Sequence, residues 1–135
     1  MTHGPLAPGS TIGILGGGQL GRMLATAGAA LGFDVHVYEP EPDCPASRVA
    51  ARSYCAPWDD IGAVEAFARR CDAITYEFEN VPVETVEAAA RVSVLRPGGK
   101  SLQLTQDRLI EKTFINGVGV ATVPFAQVDD IDSLE

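Results

Sequence analysis

An α/β fold with a parallel sheet and helices on both faces follows from three features of the sequence. Short apolar runs at residues 11–15, 35–38 and 73–76 alternate with segments of helical periodicity, the pattern of βαβ units. The first run leads directly into Gly16-Gly17-Gly18-Gln19-Leu20-Gly21-Arg22-Met23, a strand feeding a glycine turn that opens a helix. A chain of 135 residues, 46% hydrophobic and 21% charged, is also long enough to bury one core of its own.

The elements are justified in order. Residues 1–10 carry Gly4, Pro5, Pro8 and Gly9 without a long apolar stretch, so they read as a flexible leader and not as a signal peptide. After the strand at 11–15, Leu20, Leu24, Ala27 and Leu31 recur at helical spacing as an apolar stripe, and Gly32 is the expected stop. Asp59-Asp60 caps a second helix with Ile61, Val64, Phe67 and Ala68 on one face. Pro82 suits the first turn of a third helix, whose stripe is Val83, Val86 and Ala90. A short strand at 92–95 runs into the turn Pro97-Gly98-Gly99, and a last amphipathic helix spans 105–115. Residues 120–128 read as extended, with Pro124 marking an edge or a connector. Residues 128–135 read as a capped helix just beginning, which predicts the N-terminal part of a longer protein. The expected domains are a leader at 1–10, one α/β domain at 11–121, and the start of a linker and second domain at 122–135.

Charge and cysteine usage narrow the function classes. A formal net charge of −8 and a pI near 4.6 exclude general affinity for nucleic acid or anionic membranes, both of which require basic surface. No stretch reaches membrane-spanning length. Cys44, Cys55 and Cys71 are odd in number and lack paired metal-type spacing, which fits reduced cytoplasmic thiols. With His3 and His36 as the sole histidines, no metal site is expected.

In open parallel sheets ligands sit beyond the carboxyl ends of the strands, so the residues just after each strand are the candidates. In the glycine turn, Gln19 can orient a polar ligand, and the Leu20 and Gly21 amides, at a helix N-terminus, can hold a phosphate. A tight packing turn explains the same glycines. Glu39 falls about twenty residues later, where dinucleotide-binding domains place the acid that binds a ribose hydroxyl. A solvated acid beside Pro40 explains it equally well. In Thr75-Tyr76-Glu77-Phe78-Glu79-Asn80, Glu77 and Glu79 share a side if the strand continues, an arrangement suited to binding an amine. The alternative is that one of the two caps the helix near Pro82. Arg108 and Lys112 lie one helical turn apart, either as a phosphate or carboxylate contact or as a solvated face.

Taken together, residues 16–23, the segment Tyr76-Glu77-Phe78-Glu79-Asn80, and Gln106-Asp107-Arg108-Leu109 with Lys112 resemble the N-terminal signatures of the 5-(carboxyamino)imidazole ribonucleotide synthetases. These are the ATPase subunits of phosphoribosylaminoimidazole carboxylase, in the ATP-grasp superfamily. The resemblance covers the chain from about Thr11 onward. It implies a Rossmann-like pre-ATP-grasp domain of a homodimeric ligase of purine biosynthesis, which joins bicarbonate to the amino group of aminoimidazole ribonucleotide with ATP and Mg2+. By the same resemblance Gly17, Gly18, Gln19, Leu20, Glu77 and Glu79 hold the ribonucleotide, with its phosphate end at Gln19 and Leu20. Glu77 lies near the reacting amine or bicarbonate as the catalytic residue, and Arg108 with Lys112 reaches toward ATP. The nucleotide-binding domain of such enzymes lies after the segment seen here, so this chain alone is expected to be inactive. A formate-dependent glycinamide ribonucleotide transformylase typically has Glu where this chain has Gln19, which favours the imidazole substrate. The alternative, an NAD(P)-binding domain of an oxidoreductase, rests on the glycine spacing and Glu39 and leaves residues 76–80 and Arg108 without a role.

Overall fold

The computed structural model describes residues 4–131. Its elements run β1 (Thr11–Leu15), α1 (Gln19–Ala30), β2 (Asp34–Tyr38), β3 (Arg52–Tyr54), α2 (Ile61–Ala68), β4 (Ala73–Tyr76), α3 (Val83–Val92), α4 (Gly99–Gln106) and α5 (Arg108–Gly117), with a 3-10 turn at Pro45–Arg48. The four strands form one parallel sheet in the order β3-β2-β1-β4. After β1 the chain builds outward to β2 and β3, then returns to place β4 on the opposite side of β1. The reversal makes the crevice above β1 and β4 a topological switch point, where such sheets bind ligands.

Alternation along the strands divides the core between the two faces of the sheet. Leu15, Tyr38 and Ile74 point to one face and are buried with Val64 and Phe67 of α2, Val86 and Ala89 of α3, and Leu102 of α4. Ile14, Val35 and Val37 point to the other, where Ala25 of α1 joins Cys44 and Ala46. The expected two-faced α/β arrangement is present.

Several elements differ from the sequence expectation. The stripe Leu20, Leu24 and Leu31 lies outward, with those residues 56%, 45% and 68% exposed, and α1 buries Gly21, Ala25 and Gly28 instead. The cause is distance: a Cβ on Gly28 would stand 2.7 Å from Val35 Cγ2, so this helix approaches the sheet closely enough to require its small face. Helix α3 turns Thr85, Val86, Ala88 and Ala89 inward, leaving Ala90 exposed, because Thr85 Oγ1 donates to the Trp58 carbonyl at 2.8 Å. The strand expected at 92–95 shrinks to a single parallel bridge between Ile74 and Leu95. The helix expected at 105–115 is two helices. Asp107 is extended at the break and caps α5, its carboxylate accepting from Ile110 N–H at 2.9 Å. Strand β3 has no counterpart in the apolar pattern, since Arg52-Ser53-Tyr54 lacks an apolar run. Residues 120–129 pair with no strand, so Pro124 sits in a connector. The leader is tied at its end by Gly9 N–H to Gly32 O at 2.7 Å. Residues 1–3 and 132–135 lie outside the described residues, and with them half of the helix expected at 128–135; residues 128–131 are not helical.

Other expectations hold as read: Asp60 caps α2 by accepting from Ala63 N–H at 2.9 Å, and Val64, Phe67 and Ala68 form its buried face. Among the described residues no helix is long and apolar enough to cross a membrane. Cys44 and Cys71 are buried free thiols, and Cys55 is exposed.

Candidate functional site

The site is assembled where β1, β2 and β4 end. Each chain continues from its strand by bonding to a neighbour: Gly16 N–H donates to Tyr38 O at 3.0 Å, and Glu77 N–H donates to Leu15 O at 3.1 Å. These bonds bring Glu77 beside the glycine turn, 56 to 61 residues away along the chain. The strand stops at Tyr76, so the alternation expected to align Glu77 with Glu79 does not continue. Glu77 turns back over the turn, whereas Glu79 is exposed on the following loop.

The Glu77 carboxylate fills the N-terminal end of α1. Gly18 N–H donates to Glu77 Oε1 at 3.0 Å and Gly21 N–H donates to Glu77 Oε2 at 3.1 Å. The N-cap of this helix is Gly18, which has no side chain to cap it, and its first turn holds no acidic residue. Glu77 supplies both the missing cap and the negative charge favoured at a helix N-terminus. It is therefore a cap, but of α1 and not of α3, whose N-cap is Pro82.

This geometry explains the glycines. Gly16 has φ +114°, a conformation that side chains rarely adopt, and a Cβ there would collide with Glu77 Cγ. A Cβ on Gly18 would stand 2.8 Å from Glu77 Oε1, and one on Gly21 would stand 2.7 Å from the Gly16 carbonyl oxygen. The turn is shaped around an internal carboxylate. Gly21 N–H, expected as a phosphate donor, is bonded to Glu77 here. The N–H groups of Gln19 and Leu20, at the first two helical positions, have no partner among the described residues and face the crevice end of α1.

Glu39 closes the other side of the turn. Its Oε2 accepts from Gly17 N–H at 2.8 Å, and Ala46 N–H donates to Gly17 O at 2.9 Å. The acid on which a dinucleotide reading depends is thus engaged with the protein's own backbone.

Arg108 joins Glu77 and Glu79 at one cavity of about 390 Å3, which Tyr76, Phe78 and Glu111 also line. Burial raises the Tyr76 hydroxyl above its ordinary pKa, so it stays a neutral donor on this wall. The Arg108 guanidinium, mostly exposed, pairs with Glu111 on the next turn. Gln106 is the support that residue-type reasoning undervalued: its Nε2 donates to the carbonyls of Glu79 at 2.8 Å and Val81 at 2.9 Å, holding the loop that carries Glu79. Lys112 lies apart from this cavity. It lines a neighbouring cleft of about 470 Å3, which Arg108 also borders, with its Nζ 5.3 Å from the centroid of Phe125. Among the described residues no cluster of three His, Cys, Asp or Glu side chains is placed to hold a metal ion.

A parallel sheet with a switch-point crevice and a glycine turn capped by a carboxylate from a distant strand define a Rossmann-like α/β domain. Comparison with known proteins specifies it further: residues 9–106 match the ribonucleotide synthetase preATP-grasp domain, and the chain belongs to that family. It is 48% identical over 134 residues to the N5-carboxyaminoimidazole ribonucleotide synthase of Brucella melitensis, covering 99% of this chain and 37% of that protein. It is similar in structure to the N5-carboxyaminoimidazole synthetase of Staphylococcus aureus complexed with ADP, with a TM-score of 0.85 and 40% identity over 93% of this chain and 34% of that one. An Aspergillus clavatus synthase solved with ADP and 5-aminoimidazole ribonucleotide gives a TM-score of 0.74 at 28% identity, covering 83% of this chain and 30% of that one. The chain spans about a third of the length of these relatives. All three carry the name of an N5-carboxyaminoimidazole synthase or synthetase, and the oxidoreductase alternative finds no support among them.

Proposed function

We propose that this chain is the ribonucleotide-binding domain of an ATP-dependent ligase that carboxylates aminoimidazole ribonucleotide with bicarbonate in purine biosynthesis. The observation that carries the reading is the convergence of Glu77, Glu79 and Arg108 on one cavity beside the glycine turn. Glu77 is held by two backbone N–H groups, so its carboxylate keeps a fixed direction and still has lone pairs to accept from an amine. The proposed catalytic role of Glu77 is to orient the amino group that attacks the activated bicarbonate. Gln19 and Leu20 supply donors to the same ligand, with Gly17 and Gly18 allowing close approach and Glu79 at the rim.

Glu77 already answers part of the positive charge of α1, so it faces the amine end of the ribonucleotide, and the phosphate end lies at the open N–H groups of Gln19 and Leu20. Arg108, with Lys112 on the adjoining cleft, suits a contact to ATP. ATP and Mg2+ supply phosphoryl activation of bicarbonate, which requires a metal-bridged clamp on the transferring group. The described residues offer no metal donor set for that clamp, so those ligands are assigned to parts of the relatives beyond the matched segment, and this chain alone is expected not to turn over ATP. We place the domain at residues 11–121 and the protein in the cytoplasm, as a homodimer when the remaining domains are present.

The test is a titration followed by two-dimensional amide NMR of this chain, with aminoimidazole ribonucleotide and NAD as competing ligands. Shifts at residues 17–21 and at Glu77 with the ribonucleotide alone are expected. Shifts with NAD alone would overturn the assignment.

A further inference from the structure

We infer that Glu39 is a positioning residue for Glu77, acting through the backbone of Gly17. A glycine has two nearly free dihedral angles, so the direction of the Gly18 N–H depends on how the peptide planes on both sides of Gly17 are held. Both are held. The plane before Gly17 is fixed by Gly17 N–H donating to Glu39 Oε2 at 2.8 Å. The plane after it is fixed by Ala46 N–H donating to Gly17 O at 2.9 Å. Because that second peptide is planar and trans, pinning its carbonyl toward Ala46 aims its N–H the opposite way, onto Glu77 Oε1.

The surroundings make the arrangement specific. A Cβ on Gly17 would stand 2.8 Å from Glu39 Cβ and would also collide with Cys44 Sγ, so the turn rests directly against the Glu39 side chain. The bond is charge-assisted, which makes it shorter and stronger than a neutral one. Glu39 also approaches Glu41 N–H at 3.4 Å, a contact too long to hold the carboxylate by itself. A side chain at the end of β2 thus sets the direction of one at the end of β4. The position that would read a ribose in a dinucleotide-binding domain is here spent on preorganising the turn.

This inference rests on Glu77 being the ligand-facing carboxylate, but its test does not need a ligand. In this chain, Glu39→Ala is compared with Glu39→Gln and with Glu41→Ala by amide NMR and hydrogen exchange. Glu39→Ala is expected to move the Gly18 and Gly21 resonances as well as that of Gly17, and to speed their exchange by about tenfold or more relative to Ile14 and Val37 in the core. Glu39→Gln, which retains an acceptor oxygen for Gly17 N–H, is expected to restore most of the protection, and Glu41→Ala to leave it unchanged. A response confined to Gly17, or equal acceleration of core amides in both Glu39 variants, would overturn the positioning role. Loss of ribonucleotide binding in the wild type would instead count against the proposed function and leave these amide results standing.

Discussion

Replacing Glu77 with leucine removes both acceptors of the α1 N-terminus while keeping an apolar stem against the turn. Two backbone N–H groups lose a carboxylate at 3.0 and 3.1 Å, and a hydrogen bond to a charged group contributes about 1.5–3 kcal/mol. The negative charge at the helix end contributes roughly 0.3–1 kcal/mol more. Glu77 is half-buried, so water replaces part of what is lost, and the net cost falls to about 2–4 kcal/mol. For a domain of this size each kcal/mol moves the midpoint by about 3–6 °C, so thermal unfolding followed by circular dichroism should show a drop of roughly 10 °C. Glu77→Gln should lose about half as much, because a carboxamide oxygen can accept one N–H while its NH2 group faces the second donor. Glu79→Ala, on an exposed loop, should stay within about 0.5 kcal/mol of wild type. Equal costs for Glu77→Leu and Glu79→Ala, or an unchanged midpoint in Glu77→Leu, would refute the claim that the turn is built around this carboxylate.

Three further outcomes follow from the same geometry. Gly21→Ala should destabilise by about 1–3 kcal/mol in urea unfolding, since its Cβ meets the Gly16 carbonyl at 2.7 Å; Gly62→Ala in α2, whose Cβ would make only an ordinary contact with Asp60 Oδ1 at 3.5 Å, should stabilise by up to about 1 kcal/mol. His36 has its pKa lowered from 6.5, by burial first and then by Arg52, with Asp34 opposing, and its Nδ1 is buried without a partner among the described residues. The unfolded chain therefore binds the proton more readily, and stability should fall as pH drops below about 6.5; His36→Phe should flatten that part of a urea-midpoint profile between about pH 7.5 and pH 5.5. Burial, reinforced by Asp72, pushes the Cys71 thiol up to about 12, so iodoacetamide labelling read by mass spectrometry should modify exposed Cys55 first and spare Cys71 until denaturant is added.

Much of the architecture was legible in local pattern. Strands β1 and β4 and the cap and buried face of α2 follow from apolar runs, turn residues and a capping aspartate, all of which act over a few residues. The elements misread are those decided by partners distant in sequence. The outer leucines of α1 mimic a core stripe, but the approach to Val35 demands glycine and alanine on the buried side. Strand β3 has no apolar run and exists because Val37 and Tyr38 pair with Ser53 and Tyr54. The break at Asp107 reflects a capping interaction that helical periodicity alone does not register.

The candidate site divides the same way. Residue types and spacing by themselves determined that a glycine turn follows β1, that carboxylates follow β2 and β4, and that a basic residue lies near position 108, because backbone conformation and side-chain chemistry are local properties. Which of these meet was decided by the tertiary structure. Glu39 and Glu77 both looked available for a ligand. Parallel pairing of β1 with β2 and β4 lays both acids against the same turn, where unpaired backbone N–H groups at a helix end bind the nearest carboxylate. The contact that defines this domain joins residues 59 positions apart, a separation that becomes a hydrogen bond only when the sheet forms.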